Sequence, residues 1–345
     1  MVRGPYHDGD PKKIRPGDVS ALAREAGQRL VADLDRAEAL TAGWSNEKLG
    51  LALAGSALDR CLARLASTGC WGRDNQLPSG DFWSAAGARL EQSWLKHRAR
   101  FKPRGYAGDF EMFERFWRRQ CCEHPLGRLL DHYFQSQAAV EAVRTRTEQI
   151  AAAAVDHYSA SQSDPYRLAS VGCGPAIDVA LAVEAIPPSQ RSRLQITLLD
   201  LDEAALDHAR GRLAGWLSPR QIVAARENLY RLADRPKSAA LLQEADCLIC
   251  SGLFDYLPDD SAQKLLRSFW THLAPGGTLI VGNFAPHNPT RAYMEWIGNW
   301  YLIYRTADEL SHLAAAAGIP PSRFAIGAER LGIDLFVVAD RPGRD

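Results

Sequence analysis

The chain has 345 residues, of which 46% are hydrophobic and 24% charged, so it is long enough to bury a large core and to form two domains. The 41 basic side chains balance 41 acidic ones, which leaves no broad positive field to attract nucleic-acid phosphates. The seven cysteines are odd in number and lack the spacing of a zinc site or a disulfide framework, and no histidine pair has ligand spacing. We therefore expect a globular protein with a small-molecule partner, no nucleic acid and no metal.

The first half of the sequence predicts helices. Residues 1–17 are rich in Pro, Gly and charge and are predicted to be a flexible tail. Residues 18–165 carry apolar side chains at spacings of three and four, with Asp18 and Ser45 opening the first two helices. Two further helices are predicted to open at Asp81 and Asp109, and one long helix over residues 124–158 ends the region. Residues 18–165 are therefore predicted to be an all-helical lid and substrate domain.

The sequence does not show the patterns that are expected of a membrane-spanning or a secreted protein. The sequence opens without the pattern of a signal peptide, and no apolar run approaches the roughly 20 residues that a bilayer span needs. The pair Cys247 and Cys250 has the spacing of a redox motif, but it lies inside an apolar strand-like run and is predicted to be core. A cytoplasmic location is expected, and the oligomeric state is left open.

From Tyr166 onward, short apolar runs alternate with helical patterns. This alternation predicts parallel strands with crossover helices, because a parallel connection must return across the sheet. The last two runs, RFAIGAE and IDLFVVAD, are separated only by residues 330–332 and therefore predict an antiparallel hairpin. Residues 166–345 are predicted to form a doubly wound α/β domain.

A glycine-containing turn follows the first predicted strand, in the stretch ASVGCGPAIDVA from Ala169 to Ala180. Gly172 and Gly174 leave the main chain open to a ligand at the start of the helix that Asp178 opens. Glycine costs chain entropy, which favours a functional reason for the pair. On this motif alone, a turn that holds no ligand stays open as the alternative.

Asp200 ends the second predicted strand and strengthens the cofactor interpretation. An acidic side chain at that position is placed to accept hydrogen bonds from two ribose hydroxyls, whereas Asp202 fits the cap of the following helix. Ile177 stands where a dinucleotide site has its third glycine, and no lysine follows as in a P-loop. The predicted cofactor is therefore an adenosine without phosphates, S-adenosylmethionine.

Five stretches between residues 166 and 340 occur in the order of a known family: VGCGP, LLDLDEAALDHA, SGLFDYLPDD, LAPGGTLIVGNF and the terminal hairpin. Together they resemble the class I S-adenosylmethionine-dependent methyltransferases. The resemblance implies a seven-stranded, doubly wound Rossmann-like sheet whose last strand is antiparallel. Ser170 departs from the family, many members of which carry there an acid that holds the amino group of the cofactor.

A narrower likeness extends into the helical half. The stretches that carry it are KPRGYAGDFEMF, HPLGRLLDHYF, AAVEAVRTRTEQI and GNFAPHNPTRAYMEWIGNWYLIYRT. They are similar to bacterial proteins that make the methyl ester of a 3-hydroxy fatty acid, an extracellular signal. Shared ancestry does not fix one acceptor, so the acceptor stays open.

The class I resemblance also implies which residues line the cofactor site. They form the main-chain turn, the ribose acid, the adenine contacts and the segment beside the sulfonium. These residues are Gly172, Cys173, Gly174, Asp200, Leu201, Asn228, Leu229, Gly252 and Phe254. A turn cap is the alternative role for Asn228.

The candidates for the acceptor side are less specific. Tyr106, Asp255 and Tyr256 are the candidate catalytic residues. The candidate substrate-binding residues are Arg104, Asn283, Arg291, Tyr293 and Tyr304. The alternatives are an interdomain hinge for the RGYAGD stretch, a buried turn for DYLPDD, and a core face for the aromatic residues after the fifth strand, which are predicted to lie along a helix.

Methyl transfer is an in-line displacement on an activated electrophile, so alignment in a dry cleft is the main requirement. A carboxylate acceptor needs only a cation such as Arg104 or Arg291, whereas an amine or hydroxyl acceptor needs a base. O-methylation of a small, partly apolar carboxylate is the expected reaction. A protein carboxyl methyltransferase and a noncatalytic cofactor-binding protein are the alternatives, and a nicotinamide oxidoreductase conflicts with Ile177.

Overall fold

The computed structural model describes residues 16–343. The predicted tail, residues 1–17, lies almost wholly outside the described residues. The helices of the described part are α1 Pro16–Leu40, α2 Glu47–Ala66, α3 Gln76–Leu90, α4 Trp94–Phe101, α5 Phe110–Arg118, α6 Pro125–Gln135, α7 Ala138–Ala160, α8 Ile177–Ala185, α9 Glu203–Leu213, α10 Pro236–Ala239, α11 Asp259–His272 and α12 Ala307–Ala316. None of these helices is long and apolar enough to cross a membrane.

The boundaries of several helices differ from those predicted. The helix predicted to open at Asp81 begins at Gln76 and stops at Leu90, before α4 starts. The long helix predicted after Pro125 is divided into α6 and α7, because Gln137 adopts an extended conformation and begins α7 as its N-cap residue. Asp109 caps α5 as predicted, since its carboxylate accepts from the backbone N–H groups of the first turn.

Seven strands form one mixed sheet. They are β1 Tyr166–Val171, β2 Leu194–Asp200, β3 Ile222–Arg226, β4 Ala245–Cys250, β5 Leu273–Phe284, β6 Phe324–Ala328 and β7 Asp334–Asp340. Their order is β3-β2-β1-β4-β5-β7-β6; β1 to β5 are parallel, and β7 pairs antiparallel with both neighbours. The predicted α/β class and the antiparallel last strand are confirmed.

Alternation along the strands builds a core on each face of the sheet. In β4, Cys247 and Ile249 belong to one buried cluster and Leu248 and Cys250 to the other, as the two-residue side-chain period requires. All six residues of β4 are buried, which identifies it as a central strand with helices on both faces. The two CxxC cysteines are therefore core residues with free thiols, as predicted.

The backbone divides into two compact units. The first contains the described chain up to Phe101, with Cys121–Phe134 and Thr290–Tyr301. The second contains Lys102–Gln120, Gln135–Pro289 and the remainder from Leu302, and so unites α5 and α7 with the sheet. This grouping does not follow the sequence boundary at residue 165. The roles of residues 18–165 as lid and 166–345 as catalytic domain stay predictions.

Candidate functional site

The sheet order determines where the candidate site lies. The strand order reverses between β1 and β4, and ligands of doubly wound sheets bind outside the carboxyl ends of the strands at such a point. Gly172 follows β1, Asp200 ends β2 and Gly252 follows β4. Asp334 starts β7, but the antiparallel register pairs it with Phe284 at the end of β5. Five strands therefore contribute to one edge.

The glycine turn is held by the neighbouring strand. Gly172 and Cys173 both donate their N–H groups to the carbonyl of Leu199, at 2.8 and 3.2 Å. Gly172 has φ +67° and Gly174 φ +49°, values that residues with side chains rarely adopt, so glycine is favoured at both positions. A Cβ on Gly172 would lie 3.5 Å from Cδ1 of Leu229. That distance is an ordinary van der Waals contact, so the backbone conformation, not a lack of space, favours glycine here.

Asp200 faces this turn. Its two carboxylate oxygens accept the N–H groups of Gly174 at 2.9 Å and Asp202 at 3.0 Å, and its side chain is only 6% exposed. Burial raises the pKa of this carboxyl, while those two backbone hydrogen bonds act to lower it. A carboxylate offers about four lone-pair sites, so two backbone donors leave capacity for two hydroxyl donors.

Asn228 supplies an unused acceptor beside the same turn. Its side-chain oxygen is buried and has no hydrogen-bond partner among the described residues. A buried amide oxygen without a donor costs free energy, which a ligand donor would remove. Leu229 is buried, and Leu201 is 39% exposed at the end of β2. These residues fit an adenosine group: a ribose acid, open main chain, an orphaned acceptor and apolar walls.

The RGYAGD stretch is anchored to the cap of α9. Asp202 caps this helix through the N–H of Ala204 at 2.9 Å. Its carboxylate also accepts from Arg104 at 3.0 Å and from the hydroxyl of Tyr106 at 3.2 Å. Arg104 bonds at the same time to Glu111, at 2.6 Å. The loop that carries two candidate site residues is therefore tied to the segment that follows Asp200.

The segment after β4 is more enclosed. Phe254 is fully buried, Gly252 is half-buried and Tyr256 ends a short helical turn. Oδ1 of Asp255 accepts from the backbone N–H of Phe284 at 2.8 Å and from the amide of Asn283 at 3.1 Å. Burial, followed by the charge of Asp334, raises the pKa of Asp255 to about 7.

Both the nitrogen and the oxygen of the Asn283 side-chain amide form hydrogen bonds with other protein groups. Its nitrogen donates to the carbonyls of Phe284 and Ile303 as well as to Asp255, and its oxygen accepts from Arg305 at 2.6 Å. Arg305 also donates to carbonyls of the turn after β4. In this structure, Asn283 therefore joins β5 to the segment that carries Tyr304, which is half-buried.

Arg291 and Tyr293 belong to the first compact unit. Arg291 pairs with Glu295 at 2.7 Å and lies over the ring of Trp71. Tyr293 is buried and stacks on Phe134, with ring centroids 4.4 Å apart. Burial raises the pKa of Tyr293 well above its ordinary value.

The predicted helix of this region is wrong beyond one turn. The helical segment is a π-turn, Tyr293–Ile297, and Asn299 then adopts φ +48°. The aromatic residues after β5 therefore do not share one helical face: Trp300 and Tyr304 lie in the irregular segment that follows.

Sequence reasoning missed three buried charged residues at the same edge. Arg146 on α7 pairs with Asp334 at 2.6 Å, and Asp178 lies in the first turn of α8, with its pKa raised by burial. Arg146 is two residues from Arg144, which is also buried, and a helix does not place such neighbours on one face. Periodicity therefore carried no indication of Arg146. Asp334 could have been inferred from the hairpin, which brings the start of the last strand to the carboxyl edge.

Across residues 16–343, no group of three or more His, Cys, Asp or Glu side chains is arranged to hold a metal ion.

Comparisons with known proteins agree with this geometry. Residues 169–279 match the model of a methyltransferase domain family. No curated protein matches the chain. A possible exported protein from Bordetella parapertussis has a similar structure, with a TM-score of 0.57, 20% identity and coverage of 98% of this chain and 100% of that one.

The CurJ carbon methyltransferase is a second similar structure, with a TM-score of 0.50 and 14% identity over 94% of this chain and 91% of that one. At these identities the likeness concerns the fold, whereas the domain match covers the glycine turn, Asp200 and the end of β4. Residues 169–279 therefore match a methyltransferase domain, within a sheet of the order described above, and support an S-adenosylmethionine-dependent methyltransferase.

Proposed function

We propose that this enzyme transfers a methyl group from S-adenosylmethionine to the carboxylate of a small, partly apolar acceptor. The cofactor supplies a methyl group that is already activated for displacement. The protein then has to hold the cofactor, orient the acceptor in line with the methyl carbon and exclude water. The observation that carries the proposal is that two candidate bases, Tyr106 and Asp255, are engaged by other protein groups.

Tyr106 is poorly suited to remove a proton. Its hydroxyl donates to Asp202, and burial, followed by the charges of Asp200 and Asp202, raises its pKa above the ordinary value. A phenol whose anion is disfavoured by burial and by two carboxylates does not act as a base near neutral pH. A carboxylate acceptor avoids this difficulty, because it is already ionised.

The cofactor contacts follow from the geometry of the edge. We assign the ribose hydroxyls to Asp200 and a donor of the adenine ring to the orphaned oxygen of Asn228. The open main chain at Gly172 and Gly174 allows the cofactor to approach the sheet edge without a side chain between them. Arg104 and Tyr106 keep Asp202, and with it the loop after β2, in position.

A second acceptor class is favoured by one observation. Burial raises the pKa of Asp255 to about 7, which suits a general base for an amine or hydroxyl acceptor. Against it, Oδ1 of Asp255 already accepts two hydrogen bonds from β5 residues. We therefore place O-methylation of a carboxylate first and methylation of an amine or hydroxyl second.

The narrower likeness noted in the sequence supports a 3-hydroxy fatty acid as one acceptor of this class. Such an acceptor is partly apolar and ends in a carboxylate, so it suits an apolar site that contains a cation. We place the reaction in the cytoplasm. The alternative functions are protein carboxyl methylation and cofactor binding without turnover. The following experiment distinguishes them from the proposed reaction.

The direct test is mass spectrometry after incubation with S-adenosylmethionine that carries a deuterated methyl group. Pools of small carboxylic acids, amines and alcohols, and a pool of bacterial proteins, serve as acceptors. We expect labelled small-molecule esters that mild alkali hydrolyses. Alkali-stable label would favour the amine or hydroxyl acceptors, label confined to protein would favour protein carboxyl methylation, and the absence of label would contradict catalysis.

A further inference from the structure

Arg146 is a buried cation at the sheet edge for which the proposed cofactor contacts have no use. It projects from α7 and is only 5% exposed. Its Nη1 donates to Oδ2 of Asp334 at 2.6 Å, and Asp334 itself is fully buried. The helical position of Arg146, in the same compact unit as the sheet, keeps the guanidinium fixed relative to the strand ends.

The hydrogen bonds of Arg146 are incomplete. Among the described residues, its side chain has the single hydrogen-bond partner Asp334, although a guanidinium has five N–H donors. Arg144 provides the comparison on the same helix. Its three nitrogens donate to the carbonyls of Phe116 and Gln135 and to the side chains of Gln135 and Glu141. One buried arginine thus makes four hydrogen bonds to protein groups, and the other makes one.

The unused side of the guanidinium faces the end of β4. Nη2 of Arg146 would lie 3.3 Å from a Cβ built on Gly252, so glycine at that position leaves room beside the nitrogen. The rings of Phe113 and Phe284 lie near the guanidinium, with centroids 6.0 and 5.8 Å from its central carbon. The free donors are therefore bordered by aromatic surface at the edge where the methyl group is transferred.

We propose that Arg146 binds the carboxylate of the methyl acceptor through its free Nη2 and positions that carboxylate beside Gly252. This inference deepens the proposed function, on which it rests. A planar guanidinium matches a carboxylate geometrically, and the charge-assisted bond is strongest where water is excluded. The flanking rings would accommodate the apolar part of the same molecule.

The charges around Arg146 allow a further anion to bind beside its guanidinium. Asp334, Asp255 and Asp178 all interact with the guanidinium, and Arg305 adds a second positive charge near Asp255. Burial raises the pKa of Asp334 to about 6 and that of Asp255 to about 7. The carboxyls near the cation therefore do not all carry their full negative charge at neutral pH.

The inference can be tested by binding alone. Titration calorimetry in the presence of S-adenosylhomocysteine would compare decanoate with decanamide, which differs in charge but hardly in shape. We expect the wild type to prefer decanoate. The double variant Arg146→Gln, Asp334→Asn removes both charges together, so no unpaired charge remains buried, and we expect it to bind decanoate at least tenfold more weakly.

Two further variants sharpen this comparison. Asp334→Asn alone frees Arg146 from its counter-ion and should retain or increase the preference for decanoate. Arg144→Gln removes a buried arginine from the same helix, so it should lower stability yet leave the preference unchanged. Equal binding of the two ligands by the wild type, or an unchanged preference in the folded double variant, would overturn the inference.

A carboxylate also ends the methionine part of the cofactor, and the two sources must be separated. S-adenosylhomocysteine and 5′-methylthioadenosine differ by the amino-acid end, so the ratio of their affinities reports on that end. We expect this ratio to be the same in the wild type and the double variant. A double variant that weakens only S-adenosylhomocysteine would overturn the assignment to the acceptor. If the wild type prefers decanoate but labels no carboxylic acid, the proposed function fails while the binding role of Arg146 stands.

Discussion

At the scale of residues, two side chains carry most of the cofactor assignment. Asp200 was selected from the sequence because it ends a strand beside the glycine turn, and the structure gives it contacts with both Gly174 and Asp202. Asn228 was selected by resemblance, and its oxygen is a buried acceptor without a partner among the described residues. Both residues could be selected from the sequence, because the position of a residue relative to a strand end restricts where its side chain lies.

Replacing Asp200 with Ala should weaken the binding of S-adenosylhomocysteine. The loss of a charge-assisted hydrogen bond to the ribose is expected to cost about 1.5–3 kcal/mol. Titration calorimetry measures this change. Asp200→Asn keeps one oxygen acceptor, so its affinity should lie between those of the wild type and Asp200→Ala. Asp207→Asn, at an exposed ion pair on α9, is the matched control and should bind like the wild type. Equal affinities of all three variants would remove Asp200 from the ribose site.

Arg146 shows what residue-level reasoning from sequence could not find. The sequence analysis assigned the acceptor carboxylate to Arg104 or Arg291. These residues could be recognised from their motifs, because each is a cation close to glycine or aromatic residues. The structure pairs Arg104 with Glu111 and Asp202, and Arg291 with Glu295. Arg146 lies in a helix that is distant in sequence from every strand end, and only the packing of α7 on the sheet brings it to the edge.

At the scale of elements, the turn between β1 and α8 is the critical segment. The prediction of strand, turn and helix in this order holds, and the backbone explains the choice of glycine through the positive φ of Gly172 and Gly174. The helix boundaries were less predictable elsewhere. Gln137, whose backbone is extended, divides one predicted helix in two without any proline or glycine to indicate it.

Gly172→Ala should lower both stability and cofactor affinity. An alanine at φ +67° costs about 1–2 kcal/mol, and its Cβ would lie 3.5 Å from Leu229, on the turn that we assign to the cofactor. Urea denaturation and calorimetry measure the two effects. Gly211→Ala is the matched control, because Gly211 lies within α9 with nothing within 4 Å of its Cβ position, and it should raise stability by up to about 1 kcal/mol. A Gly172→Ala protein as stable as the wild type would contradict the strain argument.

At the scale of the whole molecule, the parallel strands and the antiparallel end of the sheet follow from the alternation of strands and helices and from the short connection between the last two strands, which is five residues long in the structure. The grouping of the backbone into two units does not, since α5 and α7 belong with the sheet although they precede it in sequence. Burial of charged groups is also a property of the assembled fold. Asp255 and Asp334 have raised pKa values only because β5, β7 and the turn after β4 enclose them.

The raised pKa of Asp255 predicts how stability depends on pH. Between the ordinary aspartate pKa of 3.8 and the raised pKa of about 7, the folded state binds more protons at this carboxyl than the unfolded state does. The stabilising contribution is therefore complete below pH 3.8 and is lost as the pH rises through about 7, with a slope of at most about 1.4 kcal/mol per pH unit.

Urea denaturation of the wild type and of Asp255→Asn at pH 5 and pH 7.5 would measure this contribution. The variant cannot ionise, so its stability should fall less than that of the wild type over the interval. Asp260→Asn, at an exposed position in the first turn of α11, should retain the wild-type dependence. An Asp255→Asn protein with the same fall would show that another group causes it.

The central claim is that the edge formed by Gly172, Gly174 and Asp200 holds an adenosine cofactor without phosphates. Titration calorimetry of the full chain with S-adenosylhomocysteine and with NAD tests it most directly. We predict saturable binding of S-adenosylhomocysteine with a stoichiometry of about one per chain and no measurable binding of NAD, because Ile177 replaces the glycine of a pyrophosphate site. Binding of NAD without binding of S-adenosylhomocysteine would contradict the account.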